Sequence, residues 1–222
     1  MLHDFRCTIW YMKRASPQEM NPSTPKEKLL DAVVDVALEG GIADKSLRAI
    51  AQAAGTSHRM LIHHFGSREG LLVEVIRAVE ARQRVLAAEV GGTPEEAGQR
   101  LWAHLRSPQL AAQERLFFEV YGQALQGRAW AQPLLNGIVE DWIGPVAAVF
   151  EADGASPAAA RIVARLCVAA TRGLLLDVLA TGDDLEVDAA MQLFQQMLLA
   201  QAPDAGSRQP GPPAPGRRMP SS

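Results

Sequence analysis

Apolar residues recur at three- and four-residue steps through residues 45–68, KSLRAIAQAAGTSHRMLIHHFGSR. Leu47, Ile50, Ala51 and Ala54 mark one apolar face of a short helix. Ser46 stands before that helix, where a hydroxyl can accept from an orphan amide of its first turn. Gly55 follows at the end of the pattern, where a left-handed backbone costs glycine little. Thr56 and Ser57 can cap a second helix whose inward residues are Leu61 and Phe65. Gly66-Ser67 then stops that helix and caps a third, opening with Arg68 and Glu69. Two short helices joined by a glycine-containing turn make a helix-turn-helix, whose second helix lies in the major groove when the motif binds DNA.

The remaining pattern predicts more helices. Arg68 to Val90 reads as one long helix, broken by Gly91-Gly92-Thr93-Pro94, with Thr93 and Pro94 suited to the cap and first positions of the next. Further helices are expected near 95–106, 109–126, 130–152, 157–181 and 186–201. Pro108, Gly127, Gly154 with Pro157, and Gly182-Asp183-Asp184 supply the punctuation. Pro145 should kink or split the 130–152 segment. Alanine and leucine dominate an apolar content of 48%, and β-branched runs are few. The fold class is therefore all-α. Four regions are expected: a flexible extension over 1–24, a three-helix DNA-binding domain over 25–72, a helical ligand-binding and dimerisation domain over 73–201, and a Pro/Gly-rich tail over 202–222 that cannot bury a core. Met12 or Met20 could serve as the start, and Lys13 and Arg14 could form an arm in the minor groove.

Charge sharpens the first of these readings. The 45–68 window carries Lys45, Arg48, Arg59 and Arg68 and no acidic residue, while the whole chain has a formal charge of −3, leaving −7 elsewhere. A positive island on an acidic protein points to a polyanion, and on a helix-turn-helix the polyanion is double-stranded DNA. On a helix turning about 100° per residue, His58, Arg59 and His63 can face outward while Leu61 faces the core. Arg59 can reach guanine or phosphate. Ser46, Arg48, Ser67 and Arg68 stand at helix beginnings, where free amides favour phosphate. The candidate DNA contacts are Ser46, Arg48, Thr56, Ser57, His58, Arg59, His63 and Arg68. His58 and His63 diverge by about 140° on a helix and adjacent His63 and His64 by about 100°, so no metal site is expected; His64 should turn partly inward beside Phe65.

The ordered residues Glu39-Gly40-Gly41, Ser46-Leu47-Arg48-Ala49-Ile50-Ala51, Ala54-Gly55-Thr56-Ser57, Leu61, His64-Phe65, Ser67-Arg68-Glu69 and Leu71-Leu72 resemble the DNA-binding domain of the tetracycline-repressor (TetR) family. The resemblance covers residues 26–76. Ile62 departs from it, standing where the family usually has a tyrosine that contacts phosphate; His63 or Arg59 could take over that contact. The resemblance implies a homodimer whose carboxy-terminal domain binds a small-molecule effector.

Seven of the twelve aromatic residues lie between positions 102 and 150. Stripes of this kind build either a helical core or a cavity between helices. The candidate effector-pocket residues are Trp102, His104, Phe117, Phe118, Tyr121 and Trp142. The last two helices are apolar on more than one stripe and so must be buried on several sides, as a two-fold four-helix interface requires.

Catalysis finds no support: GxSxG, a P-loop, a dinucleotide fingerprint and HExxH are all absent, and the chain is expected to be no enzyme and to need no cofactor. No apolar run reaches the length of a membrane span. Cys7 and Cys167 are far apart, which suits reduced thiols and a cytoplasmic location. The reading is a homodimeric, ligand-responsive transcriptional regulator, most simply a repressor released from a palindromic operator by an apolar effector. The alternative is a helical small-molecule-binding protein whose helix-turn-helix no longer reads DNA.

Overall fold

The computed structural model describes residues 24–89 and 92–201. The expected extension up to Ser23 with Lys13 and Arg14, Gly91 of the predicted break, and the 202–222 tail lie outside the described residues.

Nine α-helices make up the described residues: α1 (Pro25–Gly40), α2 (Leu47–Ala53), α3 (His58–Phe65), α4 (Arg68–Glu89), α5 (Pro94–Leu105), α6 (Ala111–Leu125), α7 (Glu140–Ala152), α8 (Pro157–Thr181) and α9 (Asp184–Gln201). Their starts follow from capping chemistry. Thr24 with Glu27 and Thr93 with Glu96 form reciprocal capping boxes ahead of α1 and α5, each followed by proline in the first turn. Ser46, Ser57 and Ser156 each accept a third-residue amide, at 3.3, 3.2 and 3.4 Å. Of the two candidate caps for α3, Ser57 takes the position; Thr56 instead sends its amide back to Ala51 O at 2.9 Å, while Gly55 N–H reaches Gln52 O at 3.2 Å. Those paired bonds around a left-handed Gly55 (φ +66°) close α2.

One expectation fails. The segment 130–152 is not a single helix: a short 3₁₀ turn at Gln132–Leu135 gives way to Asn136-Gly137, and α7 begins only at Glu140. The split falls at Gly137, whose φ of +80° suits glycine and where a Cβ would sit 2.6 Å from the Asp141 carboxylate. Pro145, expected to divide the segment, lies inside α7.

The larger core is continuous across the expected domain boundary. Val33, Val34, Ile50, Leu61 and Phe65 from α1–α3 share one cluster with Leu71, Leu72, Val75 and Ile76 of α4 and Leu116, Phe117 and Val120 of α6. A smaller cluster joins Ala87 of α4 to Trp142, Ile143, Ala160 and Ala164 of α7 and α8. The long α4 thus belongs to both. Arg82 of α4 also pairs with Asp31 (2.8 Å) and Asp35 (3.9 Å) on α1, and Lys26 with Glu74 at 3.6 Å. No described helix is long and apolar enough to cross a membrane.

Candidate nucleic-acid interface and internal cavity

The second helix of the motif is amphipathic in the simplest way. Leu61 is fully buried and Phe65 nearly so, while His58, Arg59, Ile62 and His63 are exposed. Arg48 and Arg59 make no ion pair among the described residues, so both guanidinium groups are available to an outside anion. Ser46 and Ser57 are exposed at the starts of α2 and α3, with Thr56 half-buried beside them. His64 is half-buried; its ring meets His63 and Phe65 edge-on at 4.8 and 6.3 Å between centroids, and its buried Nε2 has no hydrogen-bond partner.

Arg68 is placed differently from the other cations. Its Nε donates to Lys45 O at 3.0 Å and its Nη2 donates to Ala43 O, which binds the start of α4 to the loop before α2. Gly70, two residues further on, is packed so closely that a Cβ there would meet Phe65 O at 2.3 Å. These contacts fix the angle at which the motif leaves the linker helix.

About 15 Å up the same helix, by its rise per residue, the interior opens. A cavity of about 130 Å³, open at one side, lies between α4, α5, α6, α7, α8 and α9. Trp102, Phe117 and Trp142 line it together with Phe150 and Phe194. Three of the expected pocket residues lie elsewhere. Phe118 and Tyr121 pack, partly buried, against the larger core, and His104 is half-buried with an unpartnered Nε2, its pKa lowered by burial. Adjacent side chains diverge on a helix, and Phe117 alone of the Phe117–Phe118 pair turns to the cavity.

The sequence pattern does not single out the cavity's polar groups. Glu80, Gln83, Glu114 and Arg172 all border it. Trp142 Nε1 donates to Glu80 Oε2 at 2.8 Å, and Arg172 Nη2 donates to the same oxygen at 3.3 Å and to Ile138 O at 2.6 Å. Gln83 Nε2 donates to Glu114 Oε1 at 3.1 Å. Desolvation raises the pKa of both carboxyls; Glu114, further disfavoured by the neighbouring Glu80 charge, is pushed up to about 7. The Cys167 thiol, also on the wall, is pushed up to about 11 by burial. One signal was present in the register: Glu114 stands four residues after Leu110 and three before Phe117, on the buried face. Directly beside Glu114, Gln113 Nε2 donates to Ala37 O of α1, so adjacent residues of α6 touch the cavity and the motif.

Among the described residues, all helical, an exposed basic helix-turn-helix stands on a linker helix with a cavity behind it. Residues 29–75 match the family of bacterial regulatory proteins called tetR. That match covers the helix-turn-helix and its flanking helices, and the fold of the described residues is shared with solved transcriptional regulators. A transcriptional regulator of Rhodococcus sp. RHA1 superposes with a TM-score of 0.61 at 22% identity, over 80% of this chain and 97% of that one. A TetR transcriptional regulator of Legionella pneumophila gives 0.54 at 19% identity, over 81% and 99%. The multidrug-binding protein EbrR, solved with proflavin, gives 0.54 at 22% identity, over 78% and 98%. A comparison with curated protein sequences finds no significant match.

Proposed function

We propose that the protein is a ligand-responsive transcriptional regulator that binds a two-fold operator as a homodimer. The observation that carries this reading is the joining, on one helix, of an outward basic motif and an inward cavity: Arg68 at one end of α4, Glu80 and Gln83 further along. In DNA, α3 would lie in the major groove with His58, Arg59 and His63 toward base edges and phosphates. Ser46, Arg48, Thr56 and Ser57 would meet the backbone at the starts of α2 and α3. Arg68, with two backbone carbonyls already on its guanidinium, would act by positioning the motif. The order of regions would be a DNA-binding domain over 25–72 and a ligand-binding and dimerisation domain over 73–201.

Support for a dimer comes from α8 and α9. Ile162, Leu166, Ala169, Gly173, Leu176 and Ala180 recur at three- and four-residue steps along α8, all of them exposed. Leu185, Ala189, Leu193 and Met197 form a matching exposed stripe on α9. A face that apolar along about 27 Å of helix is what a second subunit covers. The paired helices would make a four-helix interface and set the spacing of the two reading helices.

On this reading the protein is a repressor, released from its operator by an effector in the cavity. A ligand in the cavity must bind one arrangement of α4 and α6 better than the other, and its differential affinity sets how far the operator equilibrium moves. The EbrR–proflavin complex supports a small-molecule site in this fold. The reading is tested by anisotropy titration against DNA flanking the protein's own gene at two salt concentrations. Saturable, salt-sensitive binding at one or two dimers per site is expected. No binding at either salt moves the protein to a helical binding protein with a silent motif, for which exposed Ile62 in place of a phosphate-contacting tyrosine speaks. Arg59→Ala separates the two readings, weakening DNA binding only in the first.

A further inference from the structure

We propose that the internal cavity takes an organic monocation, its charged group beside Glu114 and its apolar body against Trp102, Phe117 and Trp142. Binding itself is independent of the regulator reading; only an effect on DNA would rest on it.

The cavity wall carries more negative than positive charge. Glu114 is 6% exposed and Glu80 7% exposed, and Arg172 is the cation that borders them. Its Nη2 holds Glu80 and the Ile138 carbonyl, its buried Nη1 has no hydrogen-bond partner, and its centre lies 5.2 Å from the Phe117 ring centroid. Glu80 is likewise satisfied by Trp142 and Arg172. Arg84, the next cation on α4, pairs outward with Asp141 at 3.7 Å. Glu114 is left with one neutral amide, Gln83, and no ion pair among the described residues. At the mouth, exposed Glu95 adds another carboxylate.

A carboxylate buried this deeply without an ion pair either takes a proton or gains a counter-charge. An anionic ligand would meet two carboxylates, with the single free Nη1 of Arg172 to set against them. A neutral ligand would leave Glu114 protonated. An ammonium group satisfies it, and the surrounding aromatic faces attract the same cation through their quadrupoles. The remaining wall, from Leu101, Leu105, Val146 and Leu175, suits a hydrocarbon or aryl body. The volume is close to that of an apolar cavity of roughly 150 Å³ that admits benzene.

Proton and ligand then compete for one carboxylate. Glu114 faces Gln83 and Glu80 on α4 and Arg172 on α8, and burial places its titration at about 7. Cation affinity should therefore rise with pH through that range, with part of a proton released on binding near neutrality.

The test uses the full-length protein with two shape-matched probes, phenyltrimethylammonium and its neutral carbon isostere tert-butylbenzene. Binding is read by the fluorescence of Trp102 and Trp142 and by calorimetry in two buffers of different ionisation heat. The wild type at pH 8 should prefer the cation by roughly tenfold or more. Glu114→Gln should abolish that preference while keeping the affinity for tert-butylbenzene, which shows the cavity intact. If the variant does not fold, the wild type decides the question alone: it should release protons near pH 7 on binding the cation and none on binding tert-butylbenzene. Equal binding of the two probes, a preference that survives Glu114→Gln, or binding of neither probe overturns the proposal. DNA binding measured on the same samples keeps the two readings apart. Absence of DNA binding with the cation preference intact sinks the regulator, and the reverse sinks only the cation site.

Discussion

The reading motif and the effector cavity are built inside out with respect to each other. In α1–α3 the interior is apolar but for the inturned Nε2 of His64, with Val33, Val34, Ile50 and Leu61 at 0% exposure, and the arginines Arg48 and Arg59 stand in water. Around the cavity the charges are inside, on Glu80, Glu114 and Arg172, and the apolar residues Ile162, Leu166, Leu185 and Leu193 are outside. The first arrangement is complete in itself and can meet a polyanion without rearranging. The second leaves two mismatches open, an undercompensated carboxylate within and an uncovered apolar face without. A ligand would resolve one and a second subunit the other.

Several substitutions would break or sharpen that contrast. Leu166→Glu with Leu193→Glu places charge in the apolar face of α8 and α9. Light scattering should show monomers, and operator affinity should fall by more than about 100-fold because one head cannot hold a two-fold site. Leu61→Ala empties the centre of the motif and should lower stability by about 2–5 kcal/mol, read from urea midpoints. A loss well under about 1 kcal/mol would show that the motif is not the tightly packed region described here.

The cavity should respond in the opposite sense. Glu114 titrates near 4.5 when unfolded and about 7 when folded. Between those values the unfolded chain has already released a proton that the folded chain retains, so stability falls as pH rises from about 4.5 to 7. Glu114→Gln removes that loss and should raise stability at pH 8 by up to about 3 kcal/mol, with little change at pH 4. Thermal melts across that range check it; a variant less stable than the wild type at pH 8 would show that ionised Glu114 is already compensated.

Arg59→Ala should weaken operator binding by about 1–3 kcal/mol and leave the melting temperature unchanged. The smallest effect belongs to Ser57→Ala, which deprives Met60 N–H of its 3.2 Å acceptor and should cost about 1 kcal/mol of stability.

Much of this architecture was legible in the chain. Helix starts rest on local chemistry, which is why Ser46 and Thr93 announce α2 and α5, and why Gly55 marks the turn. The separation of Leu61 from Arg59 follows from helical periodicity alone. Where a proline competed with a glycine, the local pattern misleads: Pro145 looks like the break, and Gly137 makes it. A proline's clash depends on its place in the helix, whereas the Gly137 backbone would press any Cβ against Asp141.

By itself, then, the sequence determined the helical class, the motif, its outward basic face and the apolar surplus of the last two helices, because each depends on neighbours three or four residues away. Tertiary structure decided which polar groups were buried together. Glu114 lies 31 residues from Gln83, and Arg172 lies 92 from Glu80. A carboxylate on a helix ordinarily faces water, and only the packing of α4, α6, α7 and α8 around one space turns these inward, since burial is a property of the assembled layers rather than of any one helix.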